Sequence, residues 1–131
     1  SKELSEKNLT IDSVNNLVRF YLNHPDRAKR HDLFPLISGK KGPFWYRGFY
    51  DFNHGIPSVT DEEVNNITEK FQVDKIIFGH TALKYISAFH NGKLSNVHVP
   101  FRKIETHNQA LLIEKGKYFR LFIDGRKELI R

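Results

Sequence analysis

Val73-Asp74-Lys75-Ile76-Ile77-Phe78-Gly79-His80-Thr81 is the stretch on which the fold turns. Its apolar run is too short for a helix and is rich in β-branched and aromatic side chains, the pattern of a strand buried on both faces. The reading therefore expects a strand over 73–78, with Ile76, Ile77 and Phe78 buried, ending abruptly at Gly79. Downstream, residues 85–89 and 94–99 flank His90-Asn91-Gly92-Lys93, and Asn-Gly between such segments is a strong hairpin signal. Residues 110–113 and 118–123 flank Glu114-Lys115-Gly116-Lys117 as a second hairpin, and Asp124-Gly125 turns the chain into a last strand at 127–130.

Upstream the period changes. Ile11, Val14, Leu17, Val18 and Tyr21 recur at helical spacing over 10–22, and Thr10 or Asp12 can cap the start. Asn23-His24-Pro25 stops that helix, and the chain to about Gly42 is charged and irregular. Thr60-Asp61-Glu62-Glu63 is a capping box, followed by the stripe Val64, Ile67, Phe71. Helix, loop, helix, one buried strand and a run of antiparallel hairpins make an α+β arrangement. With no repeat and no dividing linker, residues 1–131 are expected to form a single, partial domain.

Composition narrows the chemistry. At 131 residues and 15.4 kDa the chain has the length of one ordinary domain, with a surface of roughly 7,200 Å² if close-packed. Cysteine is absent, which removes disulfides, thiolate nucleophiles and cysteine-ligated zinc. No apolar run has membrane-spanning length, and a cytoplasmic location is expected. Methionine is absent, position 1 included, so the chain is expected to be processed or part of something longer. The net charge of +6 favours anionic partners. Yet the basic residues are scattered, and the densest cluster, at 27–31, is bracketed by Asp26 and Asp32, as a solvated surface would be.

The seven histidines show no metal-ligand spacing. His24, His31, His90, His98 and His107 read as surface or hydrogen-bonded residues, and His54 as a loop residue. His80 differs, because it directly follows a strand across a glycine, where sites are commonly built. The other singular segment is Gly42-Pro43-Phe44-Trp45-Tyr46-Arg47-Gly48, which gathers the only tryptophan and two further aromatics around one arginine. A guanidinium held against aromatic faces suits bidentate capture of a phosphate or carboxylate. From the residues alone, an aromatic cluster that the arginine merely covers is an equal reading.

Gly-Pro-Phe-Trp-Tyr-Arg-Gly-Phe-Tyr at 42–50, an acid-started helix, and Ile-Ile-Phe-Gly-His-Thr at 76–81 together resemble the calcineurin-like metallophosphoesterases, in the bacterial branch akin to serine/threonine protein phosphatases. Gln-Ala-Leu-Leu-Ile-Glu at 109–114 is similar to that family's C-terminal strands. The resemblance implies the C-terminal half of an αββα sandwich and phosphoester hydrolysis by metal-activated water. It implies His80 as a metal ligand, Arg47 as the group holding the substrate phosphate, and Trp45 and Tyr46 as its supporting wall, with no further catalytic residue. Two divalent ions of the Mn, Fe or Zn class would be held by the parent protein, and none tightly by this portion. The family's Asp-x-His, Gly-Asp-x-x-Asp-Arg-Gly, Gly-Asn-His-Glu and His-Gly-Gly motifs are not in the chain, and Ser1-Lys2-Glu3-Leu4 resembles the segment immediately C-terminal to the last of them. The chain is accordingly expected to be inactive alone. Expected partners are a phosphoester or phosphoprotein substrate, an N-terminal half, and a second copy against an exposed apolar face; no membrane and no nucleic acid are expected. The alternative is a non-catalytic basic module for an anionic partner or nucleic acid.

Overall fold

The computed structural model describes residues 6–50, 59–100 and 108–130. The chain divides into two units, Ser1–Gln72 and Val73–Arg131. All described helices lie in the first and all described strands in the second.

In the first unit, helix α1 spans Ile11–Asn23, with Thr10 as its cap: the Thr10 hydroxyl accepts from the Ser13 N–H at 3.1 Å, and the Ser13 hydroxyl accepts in return from the Thr10 N–H at 3.1 Å. The predicted irregular stretch contains two short helices, α2 at Pro25–Ala28 and α3 at Phe34–Ser38, each with proline in its first turn. Tyr21, Ala28 and Ile37 form the buried centre of this unit, and Val14, Leu17, Val18 and Phe34 pack against them. Of the two expectations for His31, surface or hydrogen-bonded, the second holds: the residue is half-buried, and its Nδ1 accepts from the Leu33 N–H at 3.2 Å and lies 3.1 Å from the Tyr21 hydroxyl. Helix α4, Asp61–Phe71, starts at the predicted capping box, where Thr60 Oγ1 accepts from the Glu63 N–H at 3.2 Å and Glu63 Oε2 accepts from the Thr60 N–H at 3.0 Å. Its buried stripe is Val64, Ile67 and Thr68. The threonine is tolerated there because its hydroxyl donates to the Val64 and Asn65 carbonyls.

The second unit holds two three-stranded sheets. In the first, β3 (Leu94–Asn96) is central, with β1 (Ile76–Phe78) parallel on one side and β2 (Ser87–Phe89) antiparallel on the other. The second sheet is a meander of β4 (Gln109–Glu114), β5 (Lys117–Phe122) and β6 (Lys127–Leu129). The turns stand where the sequence puts them. Lys115 and Gly116, both at positive φ, make the two-residue connection between β4 and β5, as a primed turn requires. His90, Asn91 and Gly92 run at positive φ between β2 and β3.

Two expectations are corrected here. The αββα sandwich is replaced by a small α+β architecture in which two sheets of short strands occupy one unit and the helices the other. The stretch 73–78 is not a strand buried on both faces. Only Ile76–Phe78 pair, with β1 at the edge of its sheet among the described strands; Ile77 is 44% exposed on one face, while Ile76 and Phe78 on the other are half-buried. In this sheet the strand paired on both sides is β3, whose Leu94, Ser95 and Asn96 are all fully buried. No described helix is long and apolar enough to cross a membrane.

Candidate functional site

The segment carrying Arg47 is fixed by backbone contacts rather than by regular structure. The Trp45 and Tyr46 amides both donate to the Gly42 carbonyl, at 3.1 and 2.9 Å, and close one helical turn over it. Gly42 itself lies so close to the end of α3 that a Cβ there would stand 2.2 Å from the Ile37 carbonyl oxygen. Gly39 meets the Pro35 carbonyl oxygen in the same way, at 2.3 Å. No other residue type fits such approaches without moving the backbone, so these two glycines seat the aromatic turn on α3. On its far side, the Gly48 carbonyl accepts from the Val59 N–H at 2.7 Å.

On this seat the side chains divide. Tyr46 is half-buried and meets Phe49 edge to face at 4.8 Å between ring centroids. Phe44 and Trp45 stand 55% and 54% exposed. Arg47, half-buried, follows directly. Trp45, Tyr46 and Arg47 are thus consecutive on one turn, with Tyr46 packed on Phe49 and Trp45 exposed.

His80 belongs to the second unit, in the loop leaving β1. Here the sequence signal was misattributed: the left-handed residue is His80, at φ 71°, and not Gly79, where a Cβ would make only an ordinary 3.8 Å contact with His98 Cβ. Asn96 is the positioning residue that sequence reasoning missed. Fully buried in β3, it donates from Nδ2 to the Thr81 carbonyl at 2.9 Å, and its Oδ1 accepts from the His98 N–H at 2.8 Å. The Leu83 N–H then donates to the His98 carbonyl at 2.9 Å. The loop holding His80 is therefore tied down just beyond it. An asparagine in a three-residue strand carries no pattern that would announce this task.

Lys75, which precedes β1, lays its ammonium 3.8 Å from the centre of the Tyr118 ring and 3.3 Å from Ser95 Oγ, and burial lowers its pKa below the usual 10.5. A surface cavity of ≈ 460 Å³ in the first unit is lined by Glu6, Thr60, Glu62, Glu63, Asn66, Ile67 and Lys70, none of them a candidate site residue. His54 and His107 lie outside the described residues.

No protein-family model and no curated protein matches the chain. Solved structures do. A cold-active protein-tyrosine phosphatase of a psychrophilic Shewanella sp. superposes with a TM-score of 0.80 at 27% identity, over 100% of this chain and 38% of that one. A second structure of a cold-active protein tyrosine phosphatase gives 0.79 at 27% identity, over 98% and 37%. The chain thus spans little more than a third of the length of these relatives.

These findings overturn the resemblance drawn from the short motifs. The structural neighbours are named protein tyrosine phosphatases, not calcineurin-like metallophosphoesterases. The expectation of two divalent ions falls with it: among the described residues no group of three or more His, Cys, Asp or Glu could hold a metal ion. Tryptophan, tyrosine and arginine beside glycine suit phosphate chemistry in general, and four residues do not distinguish one class of phosphatase from another.

Proposed function

We propose that this chain contributes to a phosphatase, a protein that hydrolyses phosphoesters, and that Arg47 is the residue with which it holds the substrate's phosphoryl oxygens. The observation carrying the proposal is its superposition, over essentially its whole length, on solved phosphatases. Arg47 is the group in the chain best suited to the role. It is partly withdrawn from water on a turn whose backbone is pinned at both ends, so only the side chain has to be ordered when the anion arrives. A planar fork presents parallel N–H groups to two phosphoryl oxygens, and these bonds strengthen as charge develops in the transition state. Tyr46, locked against Phe49, supports the turn from below. With the metal reading withdrawn, His80 is left with a structural distinction, its left-handed backbone, and with no assigned chemical role.

A calorimetric titration of the chain with inorganic phosphate and with phenyl phosphate tests the assignment. Both should bind. Arg47→Ala should weaken each by at least about tenfold, the effect of losing one charge-assisted contact of ~1.5–3 kcal/mol. Phosphate binding that is absent, or indifferent to Arg47, would remove the assignment.

A further inference from the structure

Two large aromatics stand exposed on the turn that leads into Arg47, and the seating of that turn keeps them from retracting. Phe44 and Trp45 each expose more than half their surface, while Gly39 and Gly42 press the turn against α3 so closely that backbone carbonyls stand where a Cβ would be. Rigid aromatics with few rotors are the side chains that gain most and lose least when a partner covers them. Their described sequence neighbours include three basic residues: Lys40 and Lys41 are exposed just upstream, and half-buried Arg47 follows.

We propose that Phe44 and Trp45 form a platform for the polypeptide flanking a phosphorylated side chain, and that Lys40 selects acidic residues in that flank. The inference rests on the reading of Arg47 as the phosphate holder and extends it from the phosphoryl group to the chain that carries it. Charge decides the occupant. A second copy of this protein would bring another +6 to a face that is already positive, whereas an acidic phosphopeptide complements it and supplies backbone and side chains to cover two rings. A small phosphoester would fill the arginine and leave both rings in water.

Trp45 is the only tryptophan, so its emission reads the platform directly. The chain is titrated with a phosphotyrosyl peptide bearing Asp and Glu on both sides, its unphosphorylated twin, phenyl phosphate, and phosphatidylserine vesicles. The phosphopeptide should shift Trp45 emission and bind at least about tenfold more tightly than phenyl phosphate. Phe44→Ala and Lys40→Glu should each narrow that advantage, and calorimetry on Trp45→Ala should narrow it as well. Phenyl phosphate binding with no advantage for the peptide would overturn the platform and leave Arg47's role standing. Binding of the unphosphorylated twin that is lost in Phe44→Ala, with no binding of phenyl phosphate, would retire Arg47 and keep the platform. No shift with either peptide, or vesicles shifting the emission in place of the peptides, would overturn the proposal.

Discussion

Arg120 donates from both Nε and Nη2 to the carbonyl oxygen of Ile86, at 3.1 and 2.6 Å. The contact joins the two sheets of the second unit across 34 residues of sequence. Ile86 is 1% exposed, and its N–H donates to Gln109 Oε1 at 3.1 Å, so both of its backbone groups are satisfied by side chains of the second sheet. Glu128 holds the same guanidinium at 2.8 Å from the neighbouring strand.

Arg120→Met keeps most of the packing volume and strands the Ile86 carbonyl. It should lower stability by about 2 kcal/mol, since a buried acceptor left unpaired costs roughly 1–3 kcal/mol. The partly exposed pair with Glu128 adds little to that. Arg120→Lys should recover only part of the loss, because an ammonium lacks the planar edge whose two N–H groups converge on one oxygen. Urea unfolding decides the matter, and a change below about 0.5 kcal/mol would show that the sheets are held together by other means.

Gly42→Ala should be more damaging than its size suggests. The added methyl would stand 2.2 Å from the Ile37 carbonyl oxygen, a backbone atom with no rotamer to change. An overpacked site of this kind costs about 1–3 kcal/mol. Trp45 emission should report the displaced turn even where the rest of the chain stays folded. An unchanged melting temperature together with unchanged emission would show that the turn is not seated on α3 as described.

His80→Gly should raise the melting temperature. His80 sits at φ 71°, a conformation that costs a residue with a Cβ roughly 1 kcal/mol relative to glycine. The gain is offset in part by the greater freedom of glycine in the unfolded chain. A lowered melting temperature would mean that the imidazole makes contacts worth more than the strain.

Much of this architecture is legible in the sequence, and the rest is hidden for physical reasons. Thr10 and the Thr60–Glu63 box mark helix starts because the unpaired amides there need local acceptors. Asn91-Gly92 and Lys115-Gly116 mark hairpins because the turns demand positive φ. Helices α2 and α3, of four and five residues, are too short to display a period. The Ile-Ile-Phe run suggests a central strand, but centrality depends on pairing: in that sheet β3, two of whose three residues are the polar Ser95 and Asn96, is the central and fully buried strand. Arg47 and its aromatics stand out by composition, whereas the glycine contacts that fix them are tertiary. The metallophosphoesterase reading fails because the solved structures that superpose on the chain are named protein tyrosine phosphatases, and the short motifs it rested on do not tell the two classes apart.

Lys75 should make stability rise with alkaline pH. Burial lowers its pKa in the folded chain below the ordinary 10.5, so between those two values the unfolded chain binds more protons and the folded state gains as pH increases. Below the folded pKa the cost of burying the charge is present in full. Tyr21 acts in the opposite sense: burial raises its pKa, so its contribution falls as pH rises past 10.0. The difference between wild type and Lys75→Met isolates the lysine, and the wild type should gain on the variant as pH climbs toward 10.5. A difference independent of pH would contradict the burial argument.

The central claim is that this chain serves phosphoester hydrolysis through Arg47. Its most direct test is the hydrolysis of an aryl phosphate by the natural gene product that contains the chain, as wild type, Arg47→Ala and Arg47→Lys, with melting temperatures measured alongside. The account predicts that kcat/KM falls about 10²–10³-fold in Arg47→Ala, the loss of ~2.7–4 kcal/mol of transition-state stabilisation, with little change in melting temperature. Arg47→Lys should recover only a small part, lacking the planar fork. Unchanged kinetics with a lowered melting temperature would contradict the account and make Arg47 a cover for the aromatic turn.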